Sequence, residues 1–159
     1  MFAGTRESAL LVYVTALIAL MLSVLPLPQL LSIAWPNLLV LVVLYWSTMT
    51  PRAGGMLIGF LAGLTLDLLN GSQLGQHAFA LSLVTYLAIR LHLLTRAKPI
   101  FEQAIFVAVA LFVYEATLWA IDGFSSHSTG GWTRWVPIAS GTAIWPVIVG
   151  LLGRLHSPR

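Results

Sequence analysis

The chain has 159 residues, 58% of them hydrophobic and only 8% charged, with a formal net charge of +3 and a mean hydropathy of +0.91. Soluble domains carry about 25% charged residues, so this surface cannot face water on all sides; the class is an all-α polytopic membrane protein. The absence of cysteine excludes disulfides, thiolate metal sites and cysteine nucleophiles, and eight scattered basic residues make no patch that would grip nucleic acid.

The apolar blocks read as six transmembrane helices in a single domain over residues 1–159. The first span runs from Ser8 to Leu25 and ends at Pro26 and Pro28, which cannot continue a helix. No A-x-A site follows it, so it reads as a retained helix rather than a signal peptide. The second covers Leu30 to Met49. Pro36 suits a first helical turn there, which makes Ser32 to Trp35 an interfacial lead-in, with Trp35 and Trp46 marking the two headgroup levels. After a turn at Pro51 to Gly54 comes the third, Gly55 to Leu69, about 15 residues or roughly 22 Å long. That is short of a hydrocarbon core of roughly 30 Å, as expected of a helix packed among others. The remaining spans are Ala78 to Leu94, Ile100 to Ile121 and Trp135 to Leu152; Trp145-Pro146 should kink the last of them. The only polar loop of any length, GFSSHSTGGWTR, separates the last two spans.

This count sorts the positive residues. Arg6, Arg52, Arg90, Arg96, Lys98, Arg154 and Arg159 fall on one side, seven in all, and Arg134 alone on the other. Basic residues concentrate on the cytoplasmic side, so both termini are expected in the cytoplasm and the Asn70–Gln76 turn on the outer face.

The stretch Gly55 to His77 holds most of the candidate functional residues. Gly55, Gly59 and Gly63 are four apart and share a helix face, which allows close helix approach, either within the chain or to a partner. Asp67 continues that register one turn from the helix end, where a carboxylate opposes the negative end of the macrodipole, so a stabilising role there is unavailable. Two readings stand. In one, Asp67 accepts backbone N–H groups of the Asn70–Ser72 turn and holds the hairpin; in the other, it contacts a partner or ligand. Gly71 and Gly75 bracket that turn, and His77 reads as a hydrogen-bonded cap. Glu115, deep in the fifth span, needs a partner, with Arg134, His77 or simple protonation as the candidates. No two histidines fall at metal-ligand spacing, and no triad, phosphate loop or haem pair is visible; neither an enzyme nor a cofactor is expected.

Three strings, WPNLLVLVVLYW, GFLAGLTLDLLNGSQLGQHAFALSLVTYLA and AIWPVIVGLL, resemble in order and spacing the rod shape-determining protein MreD family, and the likeness covers essentially the whole chain. The aspartate followed by GSxLGxxA is its most specific part. Pro36, Asn37, Asp67, Gly71, Gly75, Trp145 and Pro146 match family positions; Glu115 matches no motif. The resemblance implies a non-enzymatic subunit of the bacterial cell-elongation machinery in the inner membrane. It further implies binding to the bitopic protein MreC, and through it to the MreB filament, RodA and its class B penicillin-binding protein. It also implies a fold similar to the substrate-binding subunits of energy-coupling-factor transporters. A vitamin-type binding subunit of such a transporter is therefore the alternative, and it should show a polar, aromatic-lined pocket near the outer face. Membrane lipids are expected partners in either case.

Overall fold

The run LLVLVVLYWSTM has no polar stripe, and a helix that is apolar all round belongs in an interior. In the computed structural model, which describes residues 3–52, 55–125 and 131–156, that run is the central helix. It is α3 (Leu38–Met49), preceded by α1 (Ala3–Ser23) and the short α2 (Gln29–Ala34). After it come α4 (Met56–Asn70), α5 (Gln76–Arg96), α6 (Ile100–Phe124) and α7 (Val136–His156), the last led in by a 3-10 turn at Trp132–Trp135. No strand occurs among the described residues. Gly54, His127 and Arg159 lie outside them.

Every residue from Leu39 to Thr48 is buried, with α1, α5 and α7 packed around α3. Ser47 and Thr48 donate back to the carbonyls of Val43 and Leu44 at 2.7 and 3.0 Å, so their hydroxyls enter the core without an unpaired donor. Four segments are long and apolar enough to cross a membrane: Leu31–Met49, Gln76–Arg96, Ile100–Phe124 and Trp132–Leu155. Ala9–Ser23 and Met56–Asn70 are shorter apolar helices. Exposed apolar side chains such as Leu10, Leu57, Phe101 and Val147 cover the outside, as a lipid-facing surface requires.

Two local expectations are corrected. Pro36 does not open the regular helix: α2 ends at Ala34, and Asn37 caps α3, its side chain accepting from the Val40 amide at 3.4 Å. Trp46 does not mark a headgroup level, because its ring is fully buried and its indole N–H donates to the Thr15 hydroxyl at 2.8 Å. An amphipathic ring at an interface keeps its polar edge wet; this one spends it on α1. Further along, α7 runs without interruption through Pro146.

The α4–α5 hairpin is the most extensively packed helix pair, and the glycines explain why. A Cβ on Gly63 would come within 2.5 Å of the Ala78 Cα and 2.6 Å of the His77 carbonyl oxygen, both backbone atoms. One on Gly59 would strike the Thr85 hydroxyl. Gly55 is different: it is the N-cap of α4, and its nearest neighbour would be the Pro51 oxygen at 3.9 Å. Gly59 and Gly63 thus form the groove that admits α5, and Gly55 stands outside it.

Candidate functional site

The chain returns repeatedly to one end of the bundle. Ser23, Asn37, Asn70, His77, Glu115 and Pro137 line a single cavity, which brings the ends of α1 and α4, the starts of α3, α5 and α7, and the later part of α6 together. Most of the polar side chains singled out from the sequence meet here.

Asp67 anchors the arrangement. Gly71, at φ +62°, ends α4 in the left-handed conformation, and Gly75, at φ +97°, begins α5 in the same region. Residues with a Cβ rarely adopt that region, so these two glycines let the chain reverse within five residues. The reversal places the first turn of α5 over the Asp67 carboxylate. Oδ2 accepts from the backbone N–H of Gly75 at 3.0 Å and of Ala78 at 3.2 Å; Oδ1 accepts from the His77 N–H at 2.9 Å and the Ser72 hydroxyl at 2.9 Å. The His77 imidazole adds a fifth contact, Nδ1 to Oδ1 at 2.8 Å, and the Asp67 side chain is 0% exposed. Because a carboxylate only accepts, Nδ1 carries the proton, and in the neutral imidazole Nε2 is the acceptor.

Two sequence expectations change as a result. The N–H groups held by Asp67 belong to Gly75, His77 and Ala78, not to the Asn70–Ser72 turn. The dipole that matters is that of α5: Asp67 opposes the end of α4 but sits at the positive N-terminus of α5, where an anion is stabilised. His77 is the hydrogen-bonded residue it was expected to be.

Asp67, His77 and Ser72 bring together the three residue types of a hydrolytic triad, yet Ser72 Oγ lies 3.2 Å from the same Nδ1 that faces Asp67. A triad needs the hydroxyl and the carboxylate on opposite ring nitrogens, so this histidine cannot pass a proton from Ser72 while Asp67 steadies it.

A second polar chain joins the turn to α6 and α7. Gln76 donates to Asp122 at 2.7 Å, and Ser125 donates to Gln73 at 2.8 Å. Arg134 reaches Asp122 with Nη1 at 2.6 Å and Glu115 Oε2 with Nε at 3.4 Å. Of the two partners weighed for Glu115, Arg134 and His77, Arg134 is the one the structure supplies. Deeper in, the Asn37 amide donates to the Tyr114 hydroxyl at 3.2 Å, and Pro36 is buried beside it. A cavity of about 230 Å³ lies over this floor, and a neighbouring one of about 400 Å³ is lined by Ser72, Gln73, Gln76, His77, Asp122 and Arg134.

Of the residues singled out from the sequence, Pro36, Asn37, Asp67, Gly71, Gly75 and Glu115 therefore converge, with Gly59 and Gly63 securing the helix that carries His77. Gly55 lies at the far end of α4, and Trp145 packs in mid-bundle 6.4 Å from the Tyr45 ring, next to Pro146. Sequence reading missed Ser72, Gln73, Gln76, Tyr114 and Ser125. Their only signal is being polar near an apolar span, and their partners lie up to 77 positions away. Among the described residues no group of acidic, histidine or cysteine side chains could hold a metal ion.

The family model described as rod shape-determining protein MreD matches residues 6–155. The rod shape-determining protein MreD of Haemophilus influenzae is 32% identical over 145 residues, covering 87% of this chain and 86% of the relative. No solved structure matches significantly.

Proposed function

From the premise that the chain belongs to the rod shape-determining protein MreD family, we propose that it is a non-enzymatic membrane subunit of the bacterial cell-elongation machinery. In this reading it binds an MreC-type bitopic membrane protein, and through it serves the MreB filament, RodA and a class B penicillin-binding protein in organising peptidoglycan synthesis. It crosses the inner membrane six times, with α1 and α4 as the two shorter crossings and the α2–α3 segment as one. Both termini are cytoplasmic, as the seven-to-one sorting of basic residues supports. The transporter-subunit likeness of fold belongs to the same proposal.

One observation carries the reading: the Asp67 carboxylate is wholly occupied inside the protein, so the segment around it serves as a shaped surface and not as a reactive centre. The turn it fixes holds up Leu74, 72% exposed between two left-handed glycines. A large apolar side chain on a rigid turn is suited to docking against another protein. Co-purification of the intact chain from detergent with its MreC-type partner tests this. The partner should be retained by the wild type and lost from Leu74→Glu; its reproducible absence from wild-type preparations would overturn the assignment.

A further inference from the structure

The Asp67 network uses every oxygen it contains, but Glu115 is left half-served. Its Oε2 has one long contact, 3.4 Å to Arg134 Nε, while the shorter of these two ion pairs made by Arg134, at 2.6 Å, goes to Asp122. Among the described residues Oε1 has no protein partner. A carboxylate whose side chain is 14% exposed at the head of an apolar bundle calls for a donor, since an unmet buried charge is costly.

The cavity of about 230 Å³ supplies the space. His77 lines it as well, and with Nδ1 donating to Asp67 the Nε2 of the neutral ring is a second acceptor, without a protein partner among the described residues. Trp35 lines the same space, and its buried indole N–H has no acceptor among the described residues. The charge nearby favours a cation: Glu115 and Asp122 against Arg134 leave one negative charge. The rest of the lining is mixed, with Leu25, Leu27 and Leu66 beside Ser23, Asn37 and Asn70, and Leu25 is exposed. Two acceptors and one donor set beside Leu25, Leu27 and Leu66 describe the seat of an amphiphile's headgroup rather than of a soluble ion.

We propose that this cavity binds the primary-ammonium headgroup of a membrane lipid. The ammonium donates to Glu115 Oε1 and His77 Nε2, and a phosphate oxygen accepts from the Trp35 indole. The site is separate from Leu74 and does not depend on which proteins that turn meets.

The test uses the full chain, purified and delipidated, then offered phosphatidylethanolamine, phosphatidylcholine or phosphatidylglycerol and read by native mass spectrometry. Trimethylation keeps the positive charge and removes the N–H donors, so the ethanolamine lipid should be retained about 10-fold over the choline lipid, the factor that one charge-assisted hydrogen bond supplies. Glu115→Gln should reduce that preference to roughly 2-fold. Leu27→Trp fills the cavity without touching the Glu115–Arg134 pair, and should abolish the preference even if Glu115→Gln fails to fold. Equal retention of the two lipids by the wild type, or an unchanged preference in Leu27→Trp, overturns the site. Displacement of the lipid by soluble phosphoethanolamine at matched concentration overturns its assignment to a lipid.

Discussion

The Asp67 carboxylate accepts from the backbone nitrogen of His77 at 2.9 Å, so a side chain in the last turn of α4 caps the first turn of α5. The two helices are thereby joined by a polar clasp as well as by the glycine groove beneath it. Asp67→Ala strips the acceptor from three backbone N–H groups, and each buried donor left unpaired costs about 1–3 kcal/mol. The expected outcome is a loss of several kcal/mol, read as a large fall in thermal midpoint in detergent and a failure to restore rod shape in cells lacking the native protein. Asp67→Asn should be little better, because its NH2 group meets two of those donors head-on. A variant that assembled and supported rod shape normally would make Asp67 an incidental polar residue.

The three glycines of α4 should separate cleanly. Gly63→Ala drives a methyl into the backbone of Ala78 and forces the helices apart, at about 1–3 kcal/mol or more. Gly59→Ala meets a threonine hydroxyl that can rotate away, so it should cost less. Gly55→Ala meets nothing closer than 3.9 Å and should leave the thermal midpoint within experimental scatter. Any other order would place the α4–α5 contact elsewhere.

The turn glycines are tested by conformation rather than by space, since a Cβ on Gly71 or Gly75 would touch nothing within 4 Å. Gly75→Ala and Gly71→Ala each force an L-residue to positive φ, at about 1–2 kcal/mol. Gly71→Asn should recover much of its loss, because asparagine tolerates this conformation and ends helices in it. Thermal unfolding of the three variants checks the ranking.

Arg134 serves two carboxylates, so Arg134→Gln leaves Glu115 and Asp122 facing each other without their shared cation. Removing one partner of a partly buried ion pair costs about 3–5 kcal/mol, whereas replacing both is often neutral. Adding Glu115→Gln to Arg134→Gln should therefore restore part of the lost stability. A double-mutant cycle measures this, and strict additivity would show that the pair is not coupled.

The apolar blocks and the reversal at Asn70-Gly71 were legible because burial and turn chemistry are local properties of a sequence. The helix bounds at α4 agree with the expected span within one residue at each end, Met56–Asn70 against Gly55 to Leu69. Asp67 was visible as an anomaly, but its role was not. The sequence orders it after the body of α4, which pointed to that helix's dipole, while the fold aims it at α5. Trp46 misled for a related reason: a tryptophan near the end of an apolar run carries the same letter whether it faces lipid or a threonine on a neighbouring helix. The Gln76–Asp122 and Gln73–Ser125 bonds were illegible, since only the packing of α5 on α6 sets those residues side by side.

The burial of α3 on all sides also bears on how the protein is made. This helix leaves the ribosome well before α5 and α7, yet both are among its neighbours. Leu41 and Tyr45 find their covering residues only when Gly141 and Trp145 have been synthesised. Until then α3 must wait in the bilayer with lipid standing in for protein, which its uninterrupted apolar surface allows. The interior around α3 therefore closes only once α7 has been made and packed against it.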